Sequence, residues 1–351
     1  MEREKQVGIE RKFGIGIVGI GMAASPHVKS LKDLSDRIDV RGVYSRNKEN
    51  REAFAAEHGF PSAESYEALL ADEKLDAIIL LTPPNARVAL VEQAARAGKH
   101  IFMEKPVERS TKTAIHIVET CEKAGVKLGI TFQFRFREAS LAAKKMLGGG
   151  ELGPLASVIL NVPWWRSTEY YQEPGRGTFE QDGGGVLITQ AIHSLDLLLS
   201  LTGPAREVQA ISGTSVLHDI EVEDFVGAGV RFENGALGSI MATTTAYPGG
   251  QEYIVFNCAK ATATLKGSVL TVDWHDGRTE DFGEEAATGS GDDRMAFPHE
   301  WHRAQISEFV DAVKAGRDPI SNGRTALDVH HLIDALLSSA KNGVLTRVEH
   351  E

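Results

Sequence analysis

Near its N-terminus the chain reads FGIGIVGIGMAA over residues 13–24. An apolar run that ends in glycine and leads into a helical segment is typical of the first strand, turn and helix of a dinucleotide-binding domain. The turn matches G-x-G-x-x-A: the first glycine permits the tight turn, the second admits a pyrophosphate, and the last small residue lets helix and strand pack. The alternative is a plain tight turn. We predict dinucleotide contacts from Gly19, Ile20, Gly21, Met22, Ala23 and Ala24.

Strand and helix patterns alternate through the first third of the chain, which predicts a doubly wound parallel sheet. The run Leu75–Leu81 is almost wholly apolar, as expected for a strand buried on both faces. Beyond residue 134 the strands lengthen, and Phe225–Phe232 and Ala236–Thr245 flank an Asn-Gly turn typical of an antiparallel hairpin. The sequence therefore predicts an α/β protein with an N-terminal Rossmann domain, residues 1–133, and a C-terminal α+β domain with a mostly antiparallel sheet, residues 134–351.

The length and composition of the chain limit the number of domains and the classes of partner that we expect. The 351 residues suggest about two domains. There are 49 acidic and 38 basic residues, a formal charge of −11, which argues against nucleic acid and anionic membrane surfaces as partners. Met1–Arg11 lacks the apolar core of a signal peptide, and no apolar run approaches the ~20 residues of a spanning helix. With only two cysteines, the chain suits a reducing compartment, and we expect a cytoplasmic protein.

The end of the second strand bears on the choice of cofactor. An acidic residue there would bind the ribose hydroxyl of NAD, but the chain reads Val43-Tyr-Ser45-Arg46-Asn47. Ser45 can donate to a 2′-phosphate, and Arg46 can pair with it and stack on the adenine. The alternative is that Arg46 is a solvated residue of the next helix. We predict a preference for NADP, with NAD also usable because a Ser-Arg pair is compatible with both.

Two further motifs follow strands, at the sheet edge where open α/β folds bind ligands. The first is Thr82-Pro83-Pro84-Asn85, of which we predict Thr82, Pro83 and Asn85 to border the cofactor, with Asn85 also a candidate N-cap. The second is Glu104-Lys105-Pro106. Glu104 and Lys105 are predicted beside the nicotinamide, where Lys105 could polarise a substrate oxygen. The alternative for this second motif is an exposed charged turn.

In the second domain, three glycines, Gly183–Gly185, precede a predicted apolar helix. Thr189, His193 and Asp196 interrupt the apolar sequence that begins at Val186. Thr189 and His193 are four residues apart and so share a helical face. His193 is a candidate acid or base for an alcohol proton, although a buried structural histidine is the alternative. His330 and His331 are adjacent and face different sides of a helix, and we predict no metal site.

Aromatic residues precede the glycine run. Aromatic faces and an arginine suit a carbohydrate ring and its hydroxyls, whereas loop packing or a subunit contact is the alternative. Near the C-terminus two histidines flank Trp301, and either could contact substrate, pack in the core or cap a helix. The residues concerned are Trp164, Trp165, Arg166, Tyr170 and Tyr171, followed by His299 and His302.

Three motifs in this order, Gly19–Ala24, Glu104–Pro106 and Gly183–Asp196, resemble the Gfo/Idh/MocA family, named for glucose–fructose oxidoreductase and inositol dehydrogenase. The similarity runs from about Phe13 to Val348. The resemblance implies a Rossmann domain followed by an open-faced, predominantly antiparallel sheet. It also implies NAD(P)-dependent oxidation or reduction of sugars, polyols and related cyclic alcohols, and a homodimer or homotetramer assembled through that sheet.

The family's site residues carry over by motif. Lys105 matches the active-site lysine, and His193 matches the histidine that takes or gives the hydroxyl proton. The family often has an aspartate four residues before this histidine, where the chain has Thr189, and a neutral threonine cannot stabilise an imidazolium as a carboxylate would. The predicted substrate contacts are Lys105, Gln133, Trp165, Arg166, Thr189, Gln190 and His193.

The leading hypothesis is an NADP-preferring dehydrogenase acting on a secondary hydroxyl or ketone of a sugar, inositol or related cyclic polyol. Lys105 and His193 are its predicted catalytic residues. One alternative is a dehydrogenase of a nucleotide-activated sugar. Another is a non-catalytic regulatory protein that binds NADP.

Overall fold

A computed structural model describes residues 11–289 and 297–350 of the chain. Most of the segment Met1–Arg11 therefore lies outside the described residues. The described residues form two sheets, one with five strands and one with nine. None of the helices in the described part is long and apolar enough to cross a membrane.

The five-stranded sheet is wholly parallel, in the order β2-β1-β3-β4-β5. Every residue of β3 is buried, as its apolar sequence predicts, because helices cover both faces. The strands are β1 Phe13–Val18, β2 Ile38–Tyr44, β3 Ala77–Leu80, β4 His100–Met103 and β5 Leu128–Ile130. The helices between them are α1 Ala24–Asp33, α2 Lys48–His58, α3 Tyr66–Leu70, α4 Arg87–Arg96 and α5 Thr111–Lys123.

Local capping explains where these helices begin and end. The Asn47 side chain accepts a hydrogen bond from the Asn50 amide at the start of α2. Gly59 ends the same helix with φ +73°, in the left-handed region that favours glycine. Ser110 caps α5 in the same way as Asn47 caps α2. These helix ends are therefore set by residues next to them in the sequence.

The nine-stranded sheet runs β13-β12-β11-β10-β6-β9-β8-β7-β14. Its neighbours are antiparallel except β6 and β9, which are parallel. The strands are β6 Leu155–Pro163, β7 Ala205–Gly213, β8 Phe225–Phe232, β9 Leu237–Thr243, β10 Tyr253–Cys258, β11 Ala261–Lys266, β12 Val269–Trp274, β13 Thr279–Phe282 and β14 Thr346–Arg347. The remaining helices are α6 Glu138–Gly148, α7 Thr168–Tyr171, α8 Ile192–Thr202, α9 Glu300–Lys314 and α10 Gly323–Asn342.

The predicted architecture, a doubly wound parallel sheet followed by a mostly antiparallel one, is confirmed. The predicted boundary between residues 133 and 134 falls between the last strand of the first sheet and the first strand of the second. The short 3₁₀ turn Gln133–Phe136, followed by α6, connects them. Arg135 in this turn pairs with Asp196 of α8 through Nε and Nη2 at 2.7 and 2.6 Å, so the connection is fixed to the helix that carries His193.

Candidate active site

One cavity of about 770 Å³ gathers the predicted motifs from both sheets. Gly19–Ala23, Ser45 and Arg46 line one end, which we call the nucleotide end. Lys105 and His193 line the other, which we call the catalytic end. The predicted residues in its wall are Gly19, Ile20, Gly21, Met22, Ala23, Ser45, Arg46, Thr82, Pro83, Glu104, Lys105, Gln133, Arg166, Thr189, Gln190 and His193.

The glycines of the turn after β1 shape the nucleotide end. Gly19 has φ +99°, and a Cβ there would lie 2.9 Å from the backbone of Leu81 and Thr82, so only glycine fits. A Cβ at Gly21 would meet nothing within 4 Å. The backbone at Gly21 is therefore open to a ligand beside the first turn of α1, where free N–H groups and the helix dipole favour phosphate.

The residues after β2 bring positive charge and a hydroxyl to the same end, where Ser45 Oγ donates to the Asn47 carbonyl at 3.2 Å. Arg46 is exposed and lines the cavity together with Ser45. The buried Arg51 donates from Nη1 to the Ser45 carbonyl at 3.1 Å and from Nε to Ser62 Oγ at 3.2 Å, which fixes the loop. These residues fit a phosphate-bearing dinucleotide.

Lys105 stands at the catalytic end, two residues beyond β4. Its Nζ donates to the Thr189 carbonyl at 2.9 Å, which ties the first sheet's edge to the second domain. Burial lowers the pKa of Lys105 to about 8, and three neighbouring arginines reinforce this while Glu104 opposes it. An ammonium with this pKa can donate to a substrate oxygen at neutral pH.

Glu104 is fixed by two histidines from distant parts of the chain. His27 Nε2 and Glu104 Oε1 are 2.7 Å apart, and the ring of His302 packs against that of His27 at 5.0 Å. Although burial acts to raise it, the His27 hydrogen bond and charge hold the pKa of Glu104 below its usual range. The carboxylate therefore stays ionised beside Lys105.

These three side chains also place candidate metal-ligand atoms within 4.8 Å of one another, which the sequence did not indicate. Two ligands of a tetrahedral ion at about 2.0 Å lie about 3.3 Å apart. The 2.7 Å between His27 and Glu104 is shorter and corresponds to a hydrogen bond. We interpret the cluster as support for Glu104.

His193 begins α8 and is enclosed by aromatic rings. Its imidazole stacks on Phe134 at 5.0 Å and meets Phe132 edge-on at 6.1 Å. Burial, followed by the charges of Lys105 and His302, lowers the pKa of His193 well below 6.5. The ring is neutral at pH 7 and can accept a proton. Nδ1 is buried with no hydrogen-bond partner in the described part of the chain.

The segment before α8 is a π-helical turn, Leu187–Ala191, a distortion frequent at functional sites. Thr189 Oγ1 donates to the Gly185 carbonyl at 2.6 Å, and Gln190 Nε2 donates to the Tyr170 hydroxyl at 3.1 Å. Thr189 therefore uses its hydroxyl on the backbone. The turn lets Thr189, Gln190 and His193 all line the cavity.

Glu223 holds the start of this segment. Its carboxylate accepts from the amides of Gly185 and Leu187 at 3.0 and 3.2 Å, and its carbonyl accepts from Val186 at 2.9 Å. A Cβ at Gly185 would lie 1.8 Å from the Glu223 carbonyl oxygen. The glycine run therefore serves close packing of two backbones, and it sets where His193 stands.

The structure does not bring three predicted residues to the cavity wall. Ala24 is buried between α1 and the sheet, as the third small position of the motif requires. Asn85 is exposed in a 3₁₀ turn, and the N-cap of α4 is Ala86, so the capping prediction is wrong. Trp165 faces away and packs edge-on against Tyr247 at 5.4 Å, and Trp164 lines the cavity instead.

Two family models match the chain. A model described as an oxidoreductase family with an NAD-binding Rossmann fold matches residues 13–132. The model of the GFO/IDH/MocA C-terminal domain matches residues 140–285. The chain belongs to the Gfo/Idh/MocA family. It is an oxidoreductase with an NAD(P)-binding Rossmann domain.

Relatives within the Gfo/Idh/MocA family cover nearly the whole chain. D-xylose 1-dehydrogenase (NADP(+)) 2 of Haloferax volcanii is 27% identical over 96% of this chain and 99% of its own. The scyllo-inositol 2-dehydrogenase (NAD(+)) of Bacillus subtilis is 25% identical over 97% and 98%. The WlbA dehydrogenase of Bordetella pertussis, solved with NADH and UDP-GlcNAcA, is 29% identical, with TM-score 0.81 over 97% of this chain and 100% of its own.

The cavity wall of this family member also includes residues outside the predicted set. Arg87 donates to backbone carbonyls, which every residue has, so no pattern of residue types in the sequence indicates its partners. His302 comes from α9, far along the chain, and its neighbours in sequence gave no reason to choose it over His299. Those that no sequence pattern indicates include Arg87, Phe134, Arg176 and Asp182, whereas Trp164, Tyr170 and His302 are candidates outside the predicted substrate contacts.

Proposed function

We propose that this protein is an NADP-preferring dehydrogenase that transfers hydride between the nicotinamide and a secondary hydroxyl or ketone of a sugar, inositol or related cyclic polyol. The observation that carries the proposal is the meeting of Lys105 and His193 at the end of a cavity whose other end suits a dinucleotide. The names of the xylose and inositol dehydrogenase relatives support the substrate class.

Two residues at the catalytic end have different roles in the oxidation of an alcohol. The neutral His193 accepts the hydroxyl proton, and the Lys105 ammonium donates a hydrogen bond to the same oxygen as it becomes a carbonyl oxygen. When bound, the nicotinamide accepts the hydride in oxidation and supplies it in reduction. In reduction, the imidazolium form of His193 returns the proton. Thr189 cannot stabilise that imidazolium, and its hydroxyl is already committed to Gly185.

Aromatic and amide side chains suit a sugar ring at this end. Trp164 and Tyr170 offer faces, while Gln133 and Gln190 offer hydrogen bonds. Gln133 Oε1 is buried and has no hydrogen-bond partner among the described residues. A buried polar atom without a partner is costly, so we infer that a substrate or cofactor group donates to it.

The test is turnover of NADP and NAD by purified protein across aldoses, inositols and anhydrosugars. We expect activity with at least one class, a loss of at least about 100-fold in kcat for Lys105→Met and for His193→Asn, and unchanged folding. Wild-type kcat in both variants would refute the mechanism. Tight NADPH binding with no turnover on the whole panel would instead support the regulatory alternative.

The NADP preference rests on Ser45 and Arg46 in the absence of an acidic residue after β2. The double substitution Ser45→Asp with Arg46→Ile should favour NAD, because a carboxylate binds the ribose hydroxyl and repels a 2′-phosphate. The ratio of kcat/KM for NADP to that for NAD should fall by about 100-fold, or about 3 kcal/mol. A preserved ratio would show that these two residues do not set the preference.

A nucleotide-activated sugar is the second candidate substrate. The observation that favours it is the 29% identical WlbA dehydrogenase, solved with UDP-GlcNAcA. A panel of UDP-sugars matched to the free sugars separates the two candidates by kcat/KM.

We also propose a cytoplasmic homodimer or homotetramer. The open face of the nine-stranded sheet aligns exposed apolar side chains, with Ile159, Leu237 and Ile211 at 41%, 51% and 69% exposure. Light scattering after chromatography should give a multiple of the chain mass, and Ile159→Lys with Leu237→Lys should reduce it to a monomer. Both cysteines are buried free thiols, as suits a reducing compartment.

A further inference from the structure

Arg87 is a buried arginine whose side chain donates hydrogen bonds to backbone carbonyls. It is 2% exposed at the first turn of α4. Its Nε donates to the Thr82 carbonyl at 3.0 Å, and its Nη1 donates to the Glu104 carbonyl at 2.5 Å and to the Pro106 carbonyl. The guanidinium thus joins the chain after β3 to the chain after β4.

Two other buried arginines, Arg135 and Arg137, have carboxylate partners. Arg135 pairs with Asp196 at 2.6 Å, and Arg137 pairs with Glu252 at 2.8 Å. Within the ranges 11–289 and 297–350, no carboxylate forms an ion pair with Arg87. The charges of Glu104 and Glu108 act on Arg87 without a direct contact. Burying a charge that no carboxylate contacts is costly, and neutral side chains could fill the same space. The cost calls for a role besides packing.

The two acceptors after β4 immediately precede and follow one residue, Lys105. We propose that Arg87 is the positioning residue of Lys105: it fixes the backbone on both sides of the lysine and so aims Nζ at the reacting oxygen. This inference rests on the proposed function of Lys105. The third acceptor, Thr82, belongs to the turn that borders the cofactor, so one guanidinium sets the distance between that turn and the lysine.

Only a guanidinium suits this geometry. Its donors are fixed in a plane and can reach carbonyls on two strand ends, whereas a lysine would offer one mobile ammonium. The charge has a second consequence. After burial, the positive charges of Arg176, Arg87 and Arg166 help to lower the pKa of Lys105, while Glu104 raises it. Arg87 therefore affects both where Nζ lies and over which pH range it is charged.

The experiment compares kcat, at saturating cofactor and substrate, in Arg87→Lys and Arg87→Met. Both should lose about 100-fold, since a misplacement of about 1 Å costs that much, with a smaller change in KM. Arg87→Met should also move the alkaline limit of the kcat profile to higher pH, and Arg87→Lys should not. Arg96→Met is the matched control, as the same change on an exposed side chain of α4, and should keep wild-type kcat.

Two further measurements separate positioning from a structural role. Guanidinium ion added to Arg87→Ala should restore part of kcat, which it would not do for protein that is simply misfolded. In the Lys105→Met background, Arg87→Met should cause little further loss, because a residue that acts through Lys105 has nothing left to position.

The outcomes are distinct. Wild-type kcat in Arg87→Met, or losses that multiply in the double variant, would overturn the role of Arg87 while leaving the proposed function intact. Wild-type kcat in Lys105→Met would overturn the proposed function itself.

Discussion

The nucleotide end and the catalytic end of the cavity differ in the kind of group that forms the wall and in how deeply it is buried. At the nucleotide end the wall is backbone and exposed side chains, with open space beyond Gly21 and a solvated Arg46. At the catalytic end it consists of buried titratable groups, with Lys105 and His193 both shifted toward their neutral forms. The nucleotide end exposes donors that any phosphate can use, whereas the catalytic end holds each group through several neighbours.

This difference predicts how each end responds to change. A substitution at Gly21 or Arg46 of the nucleotide end should alter cofactor affinity and leave the fold intact, because little packs against these two residues. At the catalytic end, Asp196 ties the helix that carries His193 to Arg135, and Gly185 packs closely against Glu223 before that helix begins. A substitution at either residue should affect stability first.

The largest expected effect is on the ion pair that joins α8 to the Gln133–Phe136 turn. Asp196→Asn leaves the Arg135 charge buried without a counter-ion, and we expect a loss of about 3 kcal/mol in the free energy of unfolding. The exposed pair Arg231–Glu207 is the control, and Glu207→Gln should cost less than about 1 kcal/mol. Urea denaturation measures both. Equal losses would show that the catalytic end is not held in the way described.

The next effect compares one substitution at both ends. Gly185→Ala places a Cβ 1.8 Å from the Glu223 carbonyl, and the backbones must separate, at a cost of about 2 kcal/mol. Gly21→Ala meets nothing within 4 Å, so stability should be unchanged. Its Cβ instead occupies the approach of the pyrophosphate, and the Kd for NADPH should rise by at least about 10-fold.

Denaturation and a fluorescence titration with NADPH report the two quantities separately. The comparison fails if Gly21→Ala unfolds more readily than Gly185→Ala, or if Gly21→Ala binds NADPH as tightly as the wild type does.

Much of the fold follows from local sequence. The apolar run of β3 and the Asn-Gly hairpin between β8 and β9 depend on neighbours in sequence, and both predictions are confirmed. The Asn47 cap is local in the same way. The parallel pairing of β6 with β9 was not predicted, since residues about 80 positions apart make it and no turn encodes it. Helix α3 is only five residues long, too short for a periodic pattern.

The residues of the site also fall into those that are neighbours in sequence and those that are brought together only by the fold. Gly19–Ala23 and Glu104–Lys105 are contiguous motifs, and the structure brings them to one cavity as expected. The sequence offered two adjacent tryptophans, and Trp165 was chosen although Trp164 faces the cavity, because side chains alternate in an extended segment and the register was unknown. His27 and His302 reach Glu104 from separate helices, and no spacing rule connects them.

The smallest expected effect is the loss of folding stability at acid pH. Burial, followed by the charge of His27, lowers the pKa of His302 to about 3 in the folded protein, against an ordinary value near 6.5 in the unfolded chain. Below pH 6.5 the unfolded chain binds a proton that the folded protein excludes, so stability falls on acidification. His302 alone contributes up to about 1.4 kcal/mol per pH unit between pH 5.5 and 4.5. His302→Gln should remove that slope, whereas His275→Gln should not, because His275 is exposed to water in the folded state too. If urea denaturation at several pH values gives the same slope for His302→Gln and the wild type, His302 does not carry this acid sensitivity.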